Sequence, residues 1–82
     1  MMTYSFTVIL AGVDMFTPEM GDDLFEAGCD DSTPGSRGGV VRVHFDREAE
    51  SLGDAIGSAV KNVERAGYKV ARVEVEEPVA AS

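Results

Sequence analysis

The stretches Glu26-Ala27-Gly28-Cys29 and Glu64-Arg65-Ala66-Gly67-Tyr68 close two helical segments in the same manner. In each, a glycine follows the last helical turn, an apolar residue follows the glycine, and a strand-like run begins. Glycine reaches the left-handed conformation that ends a helix without a Cβ penalty. The residue after it can then fold back onto the last turn, which sets Cys29 against Leu24 and Tyr68 against Val63. An alternating apolar run precedes each helix, so the chain reads as one β-α-β unit written twice.

Upstream of the first helix end, Tyr4, Phe6, Val8 and Leu10 alternate with Ser5, Thr7 and Ile9, a half-buried strand. Gly12 to Phe16 follow as a loop, and Thr17-Pro18 starts the helix with threonine as N-cap and proline at the first helical position. Met20, Leu24 and Ala27 form its apolar stripe, with Phe25 at the flank. Gly21 inside this helix costs about 1 kcal/mol against alanine. Downstream, residues 30–33 are read as a short polar edge strand, and Pro34-Gly35-Ser36-Arg37-Gly38-Gly39 as turn chemistry.

Alternation resumes over residues 40–46, with Val41, Val43 and Phe45 inward and Arg42, His44 and Asp46 outward. Ser51 caps the second helix, with Asp54 three residues on, and Leu52, Ala55, Ile56, Ala59, Val60, Val63 and Ala66 fall at steps of three and four. The last strand, residues 68–76, is expected to turn Ala71, Val73 and Val75 inward and Val70, Arg72 and Glu74 outward. Residues 1–77 then make one βαββαβ domain, and residues 78–82 a tail or a cut linker. The order predicts a ferredoxin-like α+β sandwich: a four-stranded antiparallel sheet with both helices on one face.

At 82 residues the core is thin, which makes self-association or docking to another domain an expectation. Fifteen acidic against seven basic residues give a net charge of −8, a field that counts against direct contact with nucleic acid or an anionic membrane. No apolar run approaches the roughly 18 residues of a membrane span, and no charged-then-apolar leader opens the chain. With a single cysteine, a cytoplasmic protein is expected.

The candidate chemistry is sparse. The Gly35 to Gly39 loop lacks the lysine of a phosphate-binding loop and feeds a strand rather than a helix. Asp22, Asp23, Glu26, Asp30 and Asp31 do not have calcium-loop spacing and read as a solvated acidic face. His44 is the one histidine and has no recognisable nucleophile beside it, while Cys29 is followed directly by two aspartates and reads as a buried filler. RNA-recognition domains share this strand order but place aromatics on the central strands, where this chain has Ser5, Thr7, Ile9, Arg42 and His44. The first loop carries neither the paired cysteines of metal-carrying relatives of the fold nor the arginine of acylphosphatases. No catalytic set, metal site or cofactor is expected.

Two readings remain. In the first, Thr7, Ile9, Val40, Arg42, His44, Val70 and Arg72 on the uncovered sheet face pair with a second copy or a partner protein. In the second, Gly12, Asp14 and Thr17 form a loop that faintly resembles that of ACT domains, in which helix amides would receive the carboxylate of an amino acid or another small acid.

The runs Phe6 to Val13, Leu24-Phe25-Glu26-Ala27-Gly28-Cys29-Asp30-Asp31, Gly35-Ser36-Arg37, Phe45-Asp46-Arg47-Glu48-Ala49 and Ser51-Leu52 also carry a wider resemblance. It continues through Ala55-Ile56, Val63-Glu64 and Ala66-Gly67 to Val70 and Arg72-Val73-Glu74. Together they resemble the N-terminal domain of an uncharacterised family of small bacterial proteins, commonly followed by a helix-turn-helix segment that begins like Val79-Ala80-Ala81-Ser82. The resemblance implies a transcriptional-regulator or antitoxin-like protein in which this domain serves folding, pairing or sensing. It departs from that pattern at Gly21, where alanine is usual.

Overall fold

The computed structural model describes residues 1–75, ordered as β1 (Met2–Ala11), α1 (Pro18–Glu26), β2 (Ser32–Arg37), β3 (Val40–Ala49), α2 (Leu52–Arg65) and β4 (Lys69–Val75). The strands form one sheet in the order β2-β3-β1-β4, with every neighbouring pair antiparallel. This is the ferredoxin-like arrangement. The expected tail lies outside the described residues.

Both helix ends form as their glycines dictate. Gly28 has φ 104° and Gly67 φ 99°. The Cys29 amide donates to the Leu24 carbonyl at 2.9 Å, and the Tyr68 amide to that of Val63 at 3.3 Å. Inside these, the Gly28 amide donates to Phe25 and the Gly67 amide to Glu64, completing a Schellman motif at each end. Tyr68 gains a second tie, because its hydroxyl donates to Asp23 Oδ2 at 2.9 Å and so fastens the end of α2 to α1. Burial, and then the Asp23 carboxylate, push the Tyr68 phenol up from its ordinary value.

The core lies between the sheet and the helices. Phe6, Val8 and Leu10 of β1 meet Val41, Val43 and Phe45 of β3, Met20 and Leu24 of α1, Ala55, Ala59 and Val63 of α2, and Cys29. Phe6 and Phe45 are direct cross-strand partners and stack with ring centroids 5.4 Å apart. Each such ring, taken out of water, contributes about 1.5–3 kcal/mol. Phe25 is left mostly exposed at the flank of the α1 stripe.

Three expectations are corrected. First, β2 runs through Pro34, Gly35, Ser36 and Arg37, and the turn is Gly38-Gly39 alone, with φ 59° and 79°. Two successive residues with positive φ suit a two-residue hairpin, and Pro34 is tolerated because β2 pairs on one side only. Second, β3 continues beyond Asp46 to Ala49, so its alternation also turns Arg47 inward. Third, Val70 does not belong to the open face. The β1–β4 register shifts between Ile9, opposite Arg72, and Leu10, opposite Val70, so Ala71 is the extra residue of a β-bulge. Val70 thereby falls on the side of Leu10 and packs on the core, while Ala71, expected inward, is exposed.

Candidate functional site

With both helices on one side, the other face of the sheet carries cross-strand rows set by the register. Beginning at the β2–β3 turn, Arg37 stands opposite Val40, and Ala11 opposite Lys69. The next row is Gly35, Arg42, Ile9 and Arg72, followed by Thr33, His44, Thr7 and Glu74. Asp46 with Ser5, and then Glu48 with Thr3, complete the face.

The structure brings six of the seven expected face residues onto this side and removes Val70. Ile9 is on the face but only 3% exposed. Its cross-strand neighbours are Arg42 and Arg72, whose long aliphatic stems cover apolar surface while their charged ends stay in water. Glu74 accepts from both arginines, from Arg42 Nη1 and from Arg72 Nε, each at 3.1 Å. Those two hydrogen bonds, that of Arg72 first, hold the Glu74 carboxyl below its ordinary value. Thr7 Oγ1 and His44 Nδ1 are 3.1 Å apart, His44 Nε2 lies 3.5 Å from Asp46 Oδ1, and the Ser5 hydroxyl donates to that same oxygen at 2.7 Å. This is a polar lattice on a flat surface. Within it the His44 ring has the Thr7 hydroxyl on one nitrogen, a neighbour on β1 that the sequence alone does not place there, and faces the Asp46 carboxylate with the other.

The alternative ligand loop is less open than its sequence suggests. Pro18 has no N–H, the Met20 amide is taken by Thr17 Oγ1 at 3.3 Å, and the Gly21 amide by the Thr17 carbonyl at 3.2 Å. Of the first-turn amides, only that of Glu19 is left to meet a carboxylate, and its own side chain is acidic. Gly12, at φ 78°, and Asp14 are exposed in the preceding loop.

Arg47 is the residue that the sequence reading passed over. It is 9% exposed and directs all five N–H groups to acceptors. Nε and Nη2 donate to the two oxygens of Asp31 at 2.8 and 2.9 Å, and Nη2 also to the Gly28 carbonyl at 3.0 Å. Nη1 donates to Ser58 Oγ at 3.0 Å and Asn62 Oδ1 at 2.8 Å. The guanidinium carbon lies 5.0 Å from the centroid of the Phe45 ring. Its hydrogen bond with Asp31, partly offset by burial, raises the Arg47 pKa further. Asp31 is therefore not part of a solvated acidic face, as expected, but the counter-charge of a clasp joining the end of α1, β3 and α2. An arginine at an inward strand position, with Ser58 and Asn62 one helical turn apart beside the α2 stripe, was the available signal.

Cys29 is buried, and burial raises its thiol pKa; Arg47 opposes that rise and Asp31 and Asp30 add to it. Such a thiol fills space rather than attacking. Among the described residues no three of His, Cys, Asp and Glu converge to hold a metal ion. No described helix is long and apolar enough to cross a membrane. Comparison with protein-family models, with curated proteins and with solved structures finds no match for this chain.

Proposed function

We propose that this domain is a non-catalytic interaction module that pairs with a second copy of itself through its open sheet face. The observation that carries this reading is the charge of that face. Arg37, Arg42, Lys69 and Arg72 account for four of the seven lysines and arginines in a chain of net charge −8, and they gather at one end of the uncovered side. Arg37 and Lys69 have no acidic partner among the described residues. A cationic surface on an acidic protein favours an acidic partner surface and disfavours random contacts. In the regulator that the sequence resembles, such pairing would set two downstream DNA-reading segments at a fixed spacing. Light scattering after size exclusion, run from micromolar to millimolar protein, tests the pairing. The expected result is a mass rising toward twice the monomer, and a strict monomer throughout would overturn the proposal.

A further inference from the structure

The open face is charged oppositely at its two ends. Arg37, Lys69, Arg42 and Arg72 occupy the two rows nearest the β2–β3 turn, the row of His44, Thr7 and Glu74 lies in the middle, and Asp46 and Glu48 occupy the two rows beyond it. We infer that two copies stack these faces with their strands reversed, about a two-fold axis that crosses the strands near the Thr7–His44 row. This inference rests on the pairing reading above and supplies its geometry.

A two-fold interface must be complementary to itself, because the same patch serves both copies. An axis across the strands keeps each strand over its own equivalent and exchanges the two ends of the face. Arg42 lies two residues to one side of His44 and Asp46 two residues to the other, so the axis sets Arg42 over Asp46 of the partner subunit. The row containing Arg37 then lies over that of Glu48 of the partner subunit. An axis along the strands would instead set cations over cations. In the middle row each Glu74 is compensated within its own copy by Arg42 and Arg72, so its meeting with its equivalent is not a naked repulsion. Ile9, already covered, has little apolar area to contribute.

The size of the face bounds the strength. β1 and β3 present all five rows and β2 and β4 only the three nearest the turn, so the reversed stack overlaps β1 and β3 in full and β2 and β4 only at the middle row. With strands about 4.8 Å and rows about 7 Å apart, the overlap is roughly 400 Å² on each copy, and the total near ~800 Å² is that of a weak, transient contact. With charged, solvated side chains in it, the association should be in the micromolar range and sensitive to salt.

A charge-swap experiment decides. Arg42→Glu places Glu over Asp46 of the partner subunit at both symmetry-related positions, and Asp46→Arg places Arg over Arg42 of the partner subunit. Each variant alone should be monomeric at concentrations where the parent protein pairs. An equimolar mixture should recover a dimer, since both contacts are then between opposite charges. Sedimentation equilibrium reads the masses, and far-UV circular dichroism establishes that each variant is folded. For the parent protein, raising NaCl from 0.05 to 0.5 M should weaken pairing about tenfold or more. A parent dimer that survives both single substitutions, or a mixture that stays monomeric, would overturn this geometry while leaving pairing itself intact. A parent protein that never pairs would overturn both.

Discussion

Arg47 and Asp31 meet edge to edge, Nε and Nη2 donating to the two carboxylate oxygens at 2.8 and 2.9 Å. The pair joins β3 to the chain leaving α1, just where that chain turns through Gly28 toward β2. The same guanidinium reaches Gly28, Ser58 and Asn62, so one side chain organises three elements at the rim of the core. A fully satisfied guanidinium stacked by an aromatic ring is a rigid strut. In a domain with so small a core, its loss should be felt throughout.

Arg47→Lys tests that weight. An ammonium is a point charge with three donors and cannot reproduce a planar fork that serves four partners. The substitution should cost about 2–3 kcal/mol in urea unfolding, and Asp31→Asn a similar amount because it strands a buried cation. A double-mutant cycle should return a coupling of about 1–3 kcal/mol. A loss below about 0.5 kcal/mol for either would mean that the pair behaves as an ordinary surface ion pair.

Three glycine-to-alanine substitutions should separate by local geometry. Gly57 is in the interior of α2 with open space where a Cβ would go, so Gly57→Ala should stabilise by about 0.5–1 kcal/mol. Gly67, at φ 99° and equally uncrowded, should lose about 1–2 kcal/mol from backbone strain alone. Gly28→Ala should lose more, since its Cβ would stand 3.1 Å from Asn62 Nδ2, in the amide whose oxygen holds Arg47. Thermal unfolding of the three variants ranks them, and equal losses at Gly28 and Gly67 would deny the Asn62 contribution.

What the sequence made legible was local. Thr17 and Ser51 cap their helices, the glycines of the two Schellman ends need positive φ whatever surrounds them, and the alternation of β1 and β3 needs only a neighbouring strand. What it hid depends on partners distant along the chain. The bulge that turns Val70 inward exists only once β4 is laid against Leu10, 60 residues away. The Arg47 clasp draws on Asp31, Ser58 and Asn62, none closer than 11 residues, so the inward position of Arg47 is legible in the alternation but its partners are not. The same holds on the open face: alternation places Ile9 there, and nothing local says that two arginine stems flank it.

Gly21→Ala should be nearly neutral despite the helix propensity of alanine. The added Cβ would stand 3.0 Å from Cζ of Phe16, tighter than ordinary contact, so the ring must move for the helix to gain. A net change within about 0.5 kcal/mol is expected, against a full propensity gain of about 1 kcal/mol. Repeating the substitution in a Phe16→Leu background should release most of that gain. The same small effect in both backgrounds would acquit Phe16.

Glu74 should titrate below the ordinary value of 4.5, because the charged carboxylate accepts hydrogen bonds from Arg72 and Arg42. The sign follows from a pKa that is lower in the folded chain than in the unfolded one. Its contribution to stability is present above the ordinary carboxyl range and is lost as pH falls through the folded value. Because the group is exposed, the loss should be small and better seen by carboxyl NMR titration than by unfolding. Arg72 is the larger cause, so Arg72→Gln should raise the Glu74 midpoint further than Arg42→Gln does. The opposite ranking would place the stronger of the two bonds on β3 rather than within β4, and would make Arg42 the less available of the two arginines for a contact between copies.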